Sequence, residues 1–160
     1  MNRCGLLNPQ DAAGRTGVGA CYLERGWVAP GDRLANERSD MRNAVIVDAV
    51  RTPTGRRNGM FRDIHAVDLA AIPLRALVER KDLDPGLVDD VIMGTVGQVG
   101  EQAYNAGRNA LLTAGFPESV PGVTIDRQCG SSQQAVHFAA QGVMSGTQDL
   151  VVAGGVQNLN

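Results

Sequence analysis

Cys129–Gln148 reads CGSSQQAVHFAAQGVMSGTQ, twenty residues without one Asp, Glu, Lys or Arg. Ala135, Val136, Ala139, Ala140 and Val143 share one face of a helix, while Ser131, Ser132 and Gly142 are small elsewhere. A surface helix carries charge on its wet face. A membrane span would not hold Gln133, Gln134, His137 and Gln141 together. The stretch therefore predicts a helix buried on most sides, in the middle of a layered structure, whose amides need internal partners. Residues 41–160 are too few to cover it, so something else is expected to pack on it.

Cys129 stands at the start of this helix. Gly130 beside it leaves room for a ligand to approach. Unpaired N–H groups and the helix dipole favour a thiolate at that place. The same N–H groups stabilise an oxyanion on a carbonyl that the sulfur attacks. A buried structural cysteine fits the position equally well, and placement alone does not choose between the two.

Outward from the helix, strands and helices alternate. Ala44–Val50 (AVIVDAV) is almost wholly apolar and β-branched, which predicts a strand buried on both faces. Asp68–Lys81 has Leu69, Ile72, Ala76 and Leu77 at helical spacing with Asp68 as N-cap. Pro73 inside it implies a start nearer Ile72 or a bend. Val88–Gly94 reads as a strand, and Asn105–Ala114 as a short helix closed by Gly115 and Pro117. Val120–Asp126 and Leu150–Ala153 read as further strands, the last stopped by Gly154-Gly155. The alternation predicts an α/β fold with a mostly parallel sheet.

Residues 1–40 are different. Six glycines and two prolines interrupt a stretch with neither helical nor strand period, which predicts loop or disorder. From Met41 the pattern changes at once, so translation is expected to begin there. The 160 residues suit one domain with a tail. With 15 basic and 17 acidic residues there is no electrostatic footprint for nucleic acid or an anionic membrane. No apolar run is long enough for a membrane span, and the N-terminus has no secretory core. Cys4, Cys21 and Cys129 are too few for a disulfide scaffold or a zinc site. A cytosolic protein without metal or resident cofactor is expected. Lys81 is the only lysine against fourteen arginines, a genome bias.

DRQCGSSQQA (Asp126–Ala135) resembles the nucleophile motif of the thiolases. Three more stretches match that family in order: AVRTPTGRRNG (Ala49–Gly59), MGTVGQVGEQAYNAGRNALLTAGFP (Met93–Pro117) and DLVVAGGVQN (Asp149–Asn158). RQCGSSQQA with AGGVQN is especially similar to bacterial steroid-degrading 3-ketoacyl-CoA thiolases. The resemblance implies the N-terminal half of a layered α-β-α-β-α fold, with the cysteine helix in the central layer. It implies an acyltransferase in which Cys129 takes the acyl group as a thioester and its backbone N–H helps form an oxyanion hole. Acyl-CoA and CoA are then the substrates. A homodimer or homotetramer paired around Val120–Gln128 is the implied assembly.

The chain departs from the family in one respect. The family's activating histidine and second cysteine have no match among the 160 residues, so an N-terminal fragment is expected, inactive by itself and poorly folded. His65 and His137 stand in other contexts and are expected to be structural. Gln157, Asn158 and Asn160 replace the usual Glu, Ser and Ser. Gly94–Gly100 fits no phosphate-loop pattern and reads as close packing in a turn. Arg51, Arg56, Arg57 and Arg62 read as a solvated loop, with CoA phosphate or a neighbouring subunit as the lesser alternative. The competing functions are a non-catalytic remnant or interaction module, and a ketoacyl-synthase-like condensing enzyme. Cys-Gly-Ser-Ser after Arg-Gln favours thiolase over the latter, whose cysteine is usually flanked by alanines.

Overall fold

The computed structural model describes residues 15–16, 19–25 and 42–159. The chain forms β1 (Arg15–Thr16), β2 (Gly19–Arg25), β3 (Ala44–Arg51), β4 (Gly55–Arg56), α1 (Ala66–Lys81) and β5 (Asp90–Gly94). Then come α2 (Ala106–Thr113), β6 (Gly122–Ile125), α3 (Ser131–Ser145) and β7 (Leu150–Gly155). Five strands make one sheet in the order β3-β2-β7-β5-β6. β5 runs parallel to β6 and β7, and β2 runs antiparallel to both its neighbours.

Two cores lie on opposite faces of the sheet. Leu69, Leu74 and Leu77 of α1 with Ala110 and Leu111 of α2 pack on Val91, Met93, Val152 and Ala20. Ala135, Ala139 and Val143 of α3 pack on Ile92, Val151, Ala153, Cys21 and Leu23. Successive residues of β5 and β7 thus serve opposite cores, which is why these strands read as apolar runs without alternation. The layering is α-β-α, as the sequence predicts.

Local chemistry sets the helix ends. His65 caps α1, its Nδ1 accepting the Val67 N–H at 3.2 Å, and Asp68 falls in the first turn instead of capping it. The helix starts earlier than the pattern suggests and runs through Pro73, whose ring is buried and whose missing N–H leaves the Leu69 carbonyl without its usual donor. Asn105 caps α2, accepts the Arg108 N–H and donates to the Gly122 carbonyl. Thr124 Oγ1 accepts from Gly107 and bonds Asn105, so α2 is clamped to β6.

Three expectations change. β3 is an edge strand with Val45, Ile46 and Val47 exposed, not a strand buried on both faces. Tyr22 pairs with Asp48 and Leu23 with Ile46, which leaves Val47 as an extra, bulged residue. The loop expected over residues 1–40 is corrected at 15–16 and 19–25, where β1 pairs with β4 and β2 joins the sheet. A short strand that serves both cores shows no period of two, so the pattern concealed it. Other residues of 1–40, Cys4 among them, lie outside those described. β7 includes Gly154 and Gly155 instead of stopping before them. Within this chain α3 buries one face, along Ser131, Ala135, Ala139 and Val143. Its other faces are uncharged, and Phe138 and Met144 stand exposed among the described residues.

Candidate active site

The cysteine sits on a tight turn between β6 and α3. Gln128 just before it has φ of 50°, a left-handed conformation that costs a residue with a Cβ about 1 kcal/mol or more. Four side-chain contacts hold the turn. The Asp126 carboxylate accepts the Gln128 N–H at 2.7 Å. Ser131 Oγ accepts the Arg127 N–H at 2.9 Å and donates to the Gln128 carbonyl at 2.6 Å. Arg127 also reaches Gln134 on the first turn of α3. Ser131 is buried, whereas Cys129 is exposed. The strained turn is therefore braced by a buried hydroxyl, while Cys129 stands exposed.

Packing sets where the turn lies. Gly94 ends β5 and Gly155 ends β7, and the first turn of α3 rests on both. A Cβ on Gly94 would stand 2.3 Å from the Ser132 nitrogen, and one on Gly155 would stand 2.7 Å from the Ser132 Cβ. Only residues without side chains permit this approach. Cys129 is thereby held at the carboxyl ends of the parallel strands β5, β6 and β7, the end at which ligands bind in open α/β sheets.

The loop after β5 completes this end. Thr95 N–H donates to the Ile125 carbonyl at 3.0 Å, beside the start of the cysteine turn. Gln157 Oε1 accepts the N–H groups of Val96 and Gly97 at 3.0 and 3.1 Å. Gln102 donates to the Gly97 carbonyl and accepts the Asn158 N–H. This close packing agrees with the turn expected over Gly94–Gly100. Buried Thr95 Oγ1 and Gln157 Nε2 have no hydrogen-bond partner among the described residues.

Neither histidine joins the cysteine. His65 is the cap of α1, and exposed His137 lies on the second turn of α3. Among the described residues, no group of His, Cys, Asp or Glu side chains stands ready to hold a metal ion. No described helix is long and apolar enough to cross a membrane. A cavity of about 510 Å³ is lined by Thr54, Gly55, Arg56, Asn58, Gly59 and Met60, none of them from the cysteine turn. It includes one of the four arginines singled out in the sequence.

Sequence reasoning singled out Cys129 and missed the residues that brace its turn. Ser131 and Asp126 were visible only as parts of a motif. The one sequence signal for Gly94 and Gly155 was that each closes an apolar strand.

Comparison with known proteins gives the family. Residues 44–160 match the family model described as thiolase, N-terminal domain. The chain is 58% identical over 120 residues to a steroid 3-ketoacyl-CoA thiolase of Mycobacterium tuberculosis, covering 75% of this chain and 30% of that protein. It is 49% identical over 121 residues to the 3-oxoadipyl-CoA/3-oxo-5,6-dehydrosuberyl-CoA thiolase of Escherichia coli, with 75% and 30% covered. The crystal structure of the Bacillus anthracis acetyl-CoA acetyltransferase superposes with a TM-score of 0.70 at 43% identity, over 74% of this chain and 30% of that one. The chain thus spans about 30% of the length of these relatives.

Proposed function

The chain belongs to the thiolase family through its N-terminal domain, and from that premise we propose that its protein transfers acyl groups between CoA thioesters through a thioester on Cys129. The observation that carries this reading is the exposed sulfur on a strained, hydroxyl-braced turn at the head of α3. In the degradative direction the Cys129 thiolate attacks the C3 carbonyl of a 3-ketoacyl-CoA, and the C3 oxygen carries the negative charge that forms. The Cys129 N–H is the oxyanion donor this chain offers. Collapse breaks the C2–C3 bond, leaves the shortened acyl group on sulfur, and releases the acetyl-CoA enolate, which takes up a proton. CoA thiolate then attacks the thioester, forms the new acyl-CoA and restores the cysteine. Condensation of two acyl-CoA molecules is the same sequence reversed.

Splitting the reaction at a thioester divides one difficult carbon–carbon step into two. The groups that move protons in it, a histidine and a second cysteine in the family pattern, have no match in residues 1–160. We therefore assign residues 41–160 as the thiolase N-terminal domain of a longer enzyme. The name of the 58% identical relative supports a 3-ketoacyl-CoA from steroid or fatty-acid breakdown as substrate. The cytoplasm is the proposed compartment. The proposed assembly is a homodimer or homotetramer joined along β6, which is one of the two edge strands of the sheet and exposes Val123. Val123 of β6 is exposed, and Thr124 and Ile125 are half-buried. Light scattering of the native protein at micromolar concentration should show at least a dimer.

Incubation of the native protein with acetyl-CoA, followed by peptide mass mapping, tests the central claim. Acetyl should appear on the Cys129 peptide, and Cys129→Ala should abolish acyl transfer. Acetyl on another cysteine, or full turnover by Cys129→Ala, would end it.

A further inference from the structure

The loop after β5 has little of its own to hold it. It contains Gly94, Gly97 and Gly100, the last with φ of 58°, and Val96 and Val99 stand exposed. A stretch this rich in glycine takes its order from partners elsewhere. Those partners form a closed ring. Gln157 Oε1 accepts the Val96 and Gly97 N–H groups at 3.0 and 3.1 Å. Gln102 Nε2 donates to the Gly97 carbonyl at 2.9 Å, and the Asn158 N–H donates to Gln102 Oε1 at 2.8 Å, which returns the path to Gln157.

The Gln157 amide can face this loop in one sense only. Two N–H groups point at one end of it, and only an oxygen can accept them; the reversed amide would set its own N–H groups against both. Nε2 is thereby buried with no hydrogen-bond partner among the described residues, an arrangement that costs stability. The acceptor is thus the part of Gln157 that the loop uses.

The other end of the loop meets the cysteine turn. Thr95 N–H donates to the Ile125 carbonyl at 3.0 Å, directly before Asp126, whose carboxylate accepts the Gln128 N–H. The Gly94 carbonyl accepts the Val156 N–H at 3.0 Å, and Gly94 itself lies against Ser131 and Ser132 at the head of α3. The segment from Gly94 to Gly97 therefore stands between Gln157 and the turn and touches both.

We propose that Gln157 is a positioning residue for acyl transfer: by accepting from Val96 and Gly97 it fixes Thr95 against Ile125, and with it the place of the Cys129 sulfur. The role deepens the acyl-transfer reading and rests on it. A carboxylate at position 157 offers the same acceptor, whereas a thioether of similar length is a weak one.

Gln157→Met and Gln157→Glu in the native protein test it. Hydrogen exchange reads the clamp without any substrate. The Thr95, Val96 and Gly97 amides should be protected in the parent, should exchange roughly tenfold faster or more in Gln157→Met, and should stay near the parent rate in Gln157→Glu. Unprotected Val96 and Gly97 amides in the parent overturn the proposal even if Gln157→Met fails to fold, and so does a loss of protection that stops short of Thr95. Single-turnover acetylation of Cys129 by acetyl-CoA reads the consequence. Its rate at saturation should fall about tenfold or more in Gln157→Met, with the half-saturating concentration unchanged, and should recover in Gln157→Glu. Asp48→Ala, which loses the pairing with Arg80 and Lys81 at the end of α1, should lower Tm and leave that rate unchanged. A parent-like rate in Gln157→Met, an equal loss in Asp48→Ala, or no recovery in Gln157→Glu overturns the proposal and leaves acyl transfer through Cys129 standing. A parent protein that takes no acetyl on Cys129 refutes the acyl-transfer reading, and the positioning role with it.

Discussion

Adding one methyl group at Gly94 should move the cysteine turn. An alanine Cβ there would stand 2.3 Å from the Ser132 nitrogen, 2.4 Å from the Ser131 carbonyl carbon and 2.7 Å from the Ser132 Cα. All three are backbone atoms, so no rotamer change relieves the contact. Restoring ordinary contact near 3.5 Å needs the head of α3 to back away by about 1 Å. Overpacking of this kind costs about 1–3 kcal/mol, which in a domain of this size lowers Tm by roughly 3–10 °C. A reacting group displaced by about 1 Å loses on the order of 100-fold in rate. Thermal unfolding followed by circular dichroism reads the first effect, and acyl transfer by the native protein reads the second. Gly130→Ala is the stability control, because its nearest neighbour is the Arg127 carbonyl oxygen at 3.4 Å and its φ is an ordinary −94°. If Gly94→Ala keeps the parent Tm within a degree and the parent kcat/KM within twofold, α3 does not fix the cysteine in the way described.

Ser131→Ala should destabilise the chain by about 1–3 kcal/mol, because the buried hydroxyl both accepts from Arg127 and donates to Gln128; denaturant unfolding gives the difference. Asp90→Asn should behave in the opposite sense. Burial holds the Asp90 carboxyl above its ordinary pKa, with the Asp89 charge adding to the shift and bonds from Val91 and Gln148 opposing it. The folded state therefore binds that proton more tightly than the unfolded chain. Its contribution to stability is complete below the usual carboxylate range and is lost as pH rises through the raised value. Asp90→Asn should raise Tm at pH 7, with the difference vanishing near pH 3; a pH series of melting curves checks both ends. Asp48→Ala should cost about 1 kcal/mol, since the carboxylate is nearly buried and ties β3 to Arg80 and Lys81 at the end of α1. The 160-residue chain alone should give no thiolytic turnover above its Cys129→Ala variant, because the partners that move protons are not among its residues.

How much of this was legible follows from which forces write themselves into sequence. Strands β5 and β7 were legible because each is buried on both faces, so nearly every residue had to be apolar. The pattern did not show that β3, equally apolar, lies at an edge, since burial depends on neighbours that a single segment does not name. β2 failed for the complementary reason. Its four central residues are flanked by glycine on one side and by Glu24-Arg25 on the other, and so short a run carries no period. A strand held by pairing on both edges needs little propensity of its own, and tertiary context overrides the local signal. At the site, Cys129 stood out because its helix lacks charge, a composition visible at a glance. Ser131, Gly94 and Gly155 act by volume and hydrogen bonding between segments distant in sequence, which only the packed structure displays. The uncharged helix joins the two levels. One of its faces is explained by the sheet beneath it. The exposed faces, with Phe138 and Met144, keep a composition suited to burial. A helix facing water would have no reason to exclude Lys and Glu from those faces, so their composition matches contact with further protein.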